Sequence, residues 1–136
     1  MKVKIDKDAF PIERAHEADA GYDIRTPIPL YVPAKGSALV DTRVHVSIPE
    51  GYVGILKSKS GLNVKHDIIG TGTIDSGYTG SIRVKLYNLG EHDHLFDRGD
   101  KIIQIVFYPI YTPDIEYVDS LEETERGDNG FGSTGK

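Results

Sequence analysis

Four short stretches gather residue types that could hold a phosphorylated ligand. "LKSKSGLN" alternates Lys57 and Lys59 with Ser58 and Ser60 ahead of Gly61. Ser60 opening a helix, with Lys59 beside it, would make an anion site, because first-turn amides and the helix dipole favour negative charge. The plainer alternative is a strand end with solvated lysines. "DAGYD" sets Asp19 and Asp23 on either side of Gly21. That is either a surface turn or an outer-sphere site for magnesium, an ion that keeps several of its waters. "GTGTIDSGYTG" runs through Asp75 into a turn that contains Tyr78. Asp75 could simply cap that turn. Alternatively, Gly70 and Gly72 leave strand backbone bare, so that a flat ligand can lie against it and pair with its N–H and C=O groups. The last stretch, "RGDNGFGSTGK", reads by composition as a frayed end. Yet the Arg126 fork, the Ser133 and Thr134 hydroxyls and local amides suit phosphate, and the Phe131 ring suits a flat base.

Other chemistries find little support. The chain has no cysteine, which removes disulfides, thiol nucleophiles and Cys-based zinc sites. His92 and His94 could pair on a metal, but they sit in "EHDHLFDRGD", which reads as a polar turn between strands. No Ser/His/Asp order and no Walker-type loop is visible.

The elements that must position these residues are strands. Val44, Val46 and Ile48 share one side of "RVHVSIP", and Ile82, Val84 and Leu86 alternate with Arg83, Lys85 and Tyr87. "IIQIVFYPIY" is a more continuous apolar run and predicts a buried strand. Only "SGLNVKHD" predicts a helix, a short one with Ser60 as its N-cap. Pro and Gly punctuate the chain at the spacing of a sandwich or barrel. The 136 residues fit one all-β domain, taken as about 1–113, followed by an arm over about 114–136. In that arm seven acidic residues from Asp114 to Asp128 face Arg126 alone, which predicts a solvated segment reaching toward a neighbouring subunit.

A net charge of −5 argues against gripping nucleic acid by its backbone. It also implies that a phosphorylated ligand would need a divalent cation to assist the local lysines. No stretch approaches the roughly 20 apolar residues of a membrane span, and the start "MKVKIDKDAF" lacks a signal-peptide core. A soluble cytoplasmic protein with no membrane partner is expected.

"DAGYD", "KSG", "GTIDSGYTG", "RGDKIIQI" and "RGDNGFGSTG" resemble, in order and spacing, the motifs of the homotrimeric dUTPase family, over nearly the whole chain. The length suits a bacterial or phage-like member. The resemblance implies a jelly-roll-like β-sandwich with one short helix and an extended arm, assembled as a homotrimer with shared sites. It implies Mg2+-dependent hydrolysis of dUTP to dUMP and pyrophosphate, which keeps uracil out of DNA and supplies dUMP for thymidylate synthesis. It also implies roles. Asp75 orients and activates the attacking water. Gly70, Thr71 and Gly72 pair with uracil through their backbones, and Arg83 touches the nucleotide through its main chain. Tyr78 lies under the deoxyribose. Lys59, Ser60, Gly61 and Gln104 bind phosphate, and Asp23 holds a magnesium-bound water. Arg126, Phe131, Gly132, Ser133 and Thr134 close the site as a lid. Lys59 departs from the arginine usual in the family, giving a point charge in place of a fork. The competing readings are a dCTP deaminase-like or bifunctional nucleotide enzyme, for which the hairpin offers no glutamate, and a non-catalytic β-sandwich interaction module.

Overall fold

The period-two pattern becomes period-two burial. In β5 (Val44–Ser47) Val44 and Val46 are buried, as is Ile48 just beyond it. In β8 (Arg83–Asn88) Val84, Leu86 and Asn88 point inward while Arg83, Lys85 and Tyr87 are exposed. The computed structural model describes residues 1–135 of the chain, and within them it contains ten strands and one helix.

Six strands form the main sheet: β2 (Gly21–Arg25), β10 (Lys101–Pro109), β6 (Tyr52–Lys57), β7 (Ile68–Ile74), β8 and β4 (Ser37–Asp41), in that spatial order. Each neighbouring pair is antiparallel. Two ribbons complete the fold, β1 (Lys2–Ile5) with β5 and β3 (Leu30–Val32) with β9 (His94–Phe96). Ile24, Val32, Val44, Leu56, Ile68, Leu86, Phe96 and Ile103, from the sheet and both ribbons, belong to one buried cluster. This is the expected all-β, jelly-roll-like sandwich. No helix among the described residues is long and apolar enough to cross a membrane.

The run from Ile102 onward is buried as expected through Ile105, but Tyr108, Ile110 and Tyr111 are exposed. Pairing explains the difference. β2 covers β10 only as far as Val106, whereas β6 accompanies it to Pro109. The far end of β10 therefore lies at the sheet margin.

The helix, α1 (Ser60–His66), forms where expected but is capped differently. Lys59 takes the N-cap position, Ser60 is the first helical residue, and no side chain closes the N-terminus. The C-terminus stops at Asp67 in a left-handed conformation (φ 54°), whose N–H returns to the carbonyls of Leu62 and Asn63. α1 buries no residue fully. It bridges the end of β6 to the start of β7.

Gly70 and Gly72 are not bare. A Cβ on Gly70 would stand 2.9 Å from Ile103 Cδ1 and from Leu86 Cδ2, and 3.2 Å from the Lys85 carbonyl. A Cβ on Gly72 would meet Leu56 Cδ1 at 3.0 Å. The glycines let neighbouring side chains close over the strand, which corrects the expectation that they clear it for a ligand. Gly70→Ala is expected to cost about 1–3 kcal/mol by overpacking. Urea unfolding at fixed protein concentration measures it, and an unchanged midpoint would mean the core gives way there freely.

Candidate functional site

β7 runs antiparallel to β8, but their ladder stops early. The rungs are Ile68–Asn88, Ile69–Tyr87 and Gly70–Leu86, and none follows. On its other side β7 stays paired with β6 as far as Ile74. The two strands of the hairpin therefore part beyond Gly70. Between them lies a small pocket lined by Thr73, Ile74, Asp75, Tyr78 and Arg83.

Strand alternation says which backbone groups face that opening. Ser58 Oγ donates to the Gly70 carbonyl (3.0 Å) and accepts from the Gly70 N–H (2.9 Å), so Gly70 points toward β6. The backbone of Thr71 and Thr73 then turns to the β8 side. Across the gap, Ile82 exchanges hydrogen bonds with Thr42 and Val44, which turns the N–H and C=O of Arg83 toward β7. Thr73 and Arg83 thus face each other with no rung between them. Gly70 and Gly72, expected to offer their backbone to a ligand, point the other way.

The turn at the mouth of the pocket is tightly built. Gly77 supplies φ 87°, and Tyr78 N–H donates to the Asp75 carbonyl (3.2 Å). Ser76 Oγ donates to the Ile48 carbonyl (3.1 Å). The Tyr78 ring lies on Gly80, where a Cβ would come within 2.6 Å of Cζ, and its hydroxyl donates to the Ser81 carbonyl (2.9 Å). Asp75 is exposed at the end of β7.

A second cluster occupies the opposite end of the β6–β7 ladder. Asp23 is 7% exposed and lies within β2, not in a surface turn. One of its carboxylate oxygens pairs with Lys59 and the other with Lys101 Nζ at 2.7 Å. Burial pushes the Asp23 carboxyl up, but the hydrogen bonds from Lys101 and Lys59 outweigh it and hold the carboxyl below the usual range. Each oxygen thus carries an ammonium, so Asp23, expected to hold a magnesium-bound water, is paired here with Lys59 and Lys101. Lys59, expected to reach for phosphate, is folded onto Asp23. Gln104 sits opposite both Asp23 and Lys57 in the sheet and donates from Nε2 to the Ser58 carbonyl (3.2 Å). Ser60 and Gly61 are exposed at the start of α1. Sequence reasoning gave no separate role to Lys101, Ser58 or Thr73. Lys101 follows the Asp97–Asp100 turn and could have been found as the basic residue facing "DAGYD" once β2 and β10 were paired.

The β6–β7 register measures the separation of the two clusters. Lys57 lies opposite Thr71 and Gly54 opposite Ile74. Lys59 and Ser60 continue past the first rung and Asp75 past the last, more than about 10 Å apart along the strands. One chain does not bring its own Asp75 and Lys59 together. The arm does not join them either. From Asp114 to Gly135 every residue is exposed, and every hydrogen bond found there stays inside the arm, such as Arg126 Nε to the Asn129 carbonyl (3.1 Å). Lys136, the end of the expected arm, lies outside the described residues. The His94 ring is tilted against that of His66 (centroids 4.6 Å apart) and meets Phe96 edge to face (4.4 Å).

Fold and opening define a small antiparallel jelly-roll domain with a pocket in a parted hairpin. The chain belongs to the dUTPase family, whose model matches residues 8–135. It is 41% identical to the deoxyuridine 5'-triphosphate nucleotidohydrolase of Arabidopsis thaliana over 97% of this chain and 80% of the relative. It is also 41% identical to that of Paramecium bursaria Chlorella virus 1, over 99% and 96% respectively. Among solved structures, a point mutant of the dUTPase of Staphylococcus bacteriophage 80alpha with dUpNHpp superposes with a TM-score of 0.89 at 35% identity, over 99% of this chain and 98% of that one. A point mutant of the dUTPase from phage phi11 of S. aureus, described with a structural Mg(II) ion, gives 0.82 at 31% identity, over 90% and 98%.

Asp23→Asn would leave two lysines facing a neutral amide. A loss of about 1–3 kcal/mol is expected at neutral pH, below the figure for a fully buried pair because both lysines are partly solvated. The depressed carboxyl contributes stability above the usual aspartate range, and this is lost as pH falls through the depressed value. The variant's acid unfolding curve is therefore expected to be flatter than the parent's. Parallel curves would remove the ion triad from the account of stability.

Proposed function

We propose that the chain hydrolyses dUTP to dUMP and pyrophosphate, and the observation that carries this reading is the parted hairpin with Asp75 at its mouth. A uracil edge offers acceptor, donor and acceptor in a row. The unpaired backbone of Thr73 and Arg83, with that of Thr71, can complement it. Cytosine would leave groups unpaired, at about 1–3 kcal/mol each. The Tyr78 ring, fixed over Gly80, supplies a flat wall for the sugar and leaves no space for a 2′-hydroxyl. Asp75 orients a water and takes its proton as the water oxygen attacks the α-phosphorus. The bond from that phosphorus to the bridging oxygen breaks, and pyrophosphate leaves. Triphosphate cleavage asks mainly for positioning and charge neutralisation.

Lys59, Ser60, Gly61 and Gln104 are proposed as the phosphate end of the site, with Lys59 exchanging Asp23 for phosphate. Their distance from Asp75 of the same chain supports a homotrimer in which one subunit's hairpin meets another's phosphate cluster. The exposed arm supports the same assembly. In it Arg126, Phe131, Gly132, Ser133 and Thr134 close over the nucleotide, Phe131 against the base. Magnesium is proposed as a companion of the triphosphate oxygens. The chain's own donors do not fit an ion held by protein ligands alone, since no cluster of three metal-binding side chains occurs among the described residues and Asp23 stays paired with Lys101.

Pyrophosphate release from dUTP tests the reading. Asp75→Asn is expected to keep fold and dUTP binding while losing about 100-fold or more in kcat, the scale of general-base catalysis. Unchanged turnover would overturn the role of Asp75. Truncation after Arg126 is expected to leave a folded trimer with poor turnover, and Phe131→Ala to lose part of the same binding, about 1–3 kcal/mol on the scale of base–aromatic stacking. Full activity in the truncated chain would make the tail a frayed end.

A further inference from the structure

Two side-chain contacts tie the Asp75–Gly80 turn to the chain outside the hairpin: Ser76 Oγ to the Ile48 carbonyl, and the His45 ring to Thr79. His45, in β5, has a side chain only 18% exposed. Its Nδ1 lies 2.8 Å from the Thr79 carbonyl, and its Nε2 lies 2.8 Å from Asp6 Oδ2. A carbonyl can only accept a hydrogen bond, and so can an ionised carboxylate. Both ring nitrogens must therefore donate, which only the imidazolium does. Asp6 follows β1, and its N–H donates to the Arg43 carbonyl (3.0 Å). The N-terminal strand thus reaches the hairpin turn through a single charged ring.

We infer that His45 is a positioning residue that fixes the turn carrying Asp75 and Tyr78, by bridging the Thr79 carbonyl to the Asp6 carboxylate. The placement of Asp75 and Tyr78 as reacting and sugar-facing groups rests on the dUTP reading above; the bridge itself does not. The charged groups facing the ring are Asp6 and Lys4, which pair with each other at 2.9 Å. Asp6 and the Thr79 carbonyl raise the His45 titration above its ordinary value, against burial and the Lys4 charge. The bridge is therefore complete below the ordinary histidine range and is lost as pH rises through the raised value. Asp75 and Tyr78 then lose an anchor on the alkaline side.

The test uses Asp6→Asn in the full chain, with His45→Gln as a second variant that keeps one amide donor for Thr79. Three quantities are followed across about pH 6 to 9: the NMR titration of the His45 ring, amide exchange at Thr79 and Gly80, and kcat/KM on dUTP. In Asp6→Asn the His45 titration is expected to fall toward its ordinary value, and exchange at Thr79 and Gly80 to quicken at about pH 8. The drop in kcat/KM should shift to lower pH with it, about fivefold at about pH 8 and near parity at about pH 6. His45→Gln is expected to retain activity but lose the alkaline dependence. A lowered His45 titration with unchanged exchange and pH profile would reduce the bridge to a pin for β1 and overturn the inference. Absence of dUTP hydrolysis in the parent would sink the dUTP reading, while ring titration and amide exchange would still decide whether His45 holds the turn.

Discussion

An antiparallel strand must direct its hydrogen-bonding groups alternately to its two sides, and β7 has a partner strand along its whole length on neither: its rungs to β6 run from Thr71 to Ile74 and those to β8 from Ile68 to Gly70. Pairing with β6 continues to Ile74, while pairing with β8 ends at Gly70. The opening depends on this asymmetry. Had the β8 ladder continued, Thr73 and Arg83 would have been joined, and the hairpin would be an ordinary two-stranded turn with a capping aspartate. The close packing of Gly70 against Ile103 and Leu86 keeps the paired half firm up to the point where the strands part.

Each end of the β6–β7 ladder is held by a carboxylate from a distant part of the chain. Asp23, on the sheet edge strand, gathers Lys59 and Lys101 at one end. Asp6, beside the N-terminal ribbon, holds His45 against the hairpin turn at the other. In both places an anion is satisfied by cations and the cations are aimed in consequence. α1, which buries no residue fully, carries exposed Ser60 and Gly61 beside Lys59 at the Asp23 end.

The strands, the hairpin and the helix were legible because period-two burial and glycine-bounded turns are local signals. Val44, Val46, Ile82, Val84 and Leu86 all point inward as their alternation requires. The partners of charged groups were not legible. Asp23 reads as a turn residue in "DAGYD" until β2 is laid beside β10 and faces Gln104, with Lys101 at the other end of the pair. Ser60 reads as an N-cap, yet the cap position falls to Lys59. Gly70 and Gly72 suggest vacant space, and only the neighbouring Leu56, Leu86 and Ile103 reveal that the space is filled. His45 looked like one polar member of an alternating strand, since nothing local links it to Asp6 or Thr79.

The exposed arm has a consequence for local concentration. About 22 residues separate the last rung of β10 at Pro109 from Phe131. For a coil of that length the root-mean-square span is roughly 25 Å, close to the diameter of a small domain. Tethering over such a span holds the terminal aromatic and arginine at an effective concentration in the millimolar range around any surface within reach. Even a contact of modest intrinsic affinity would then be occupied for much of the time, and would still release quickly. A short rigid tail could not have both properties.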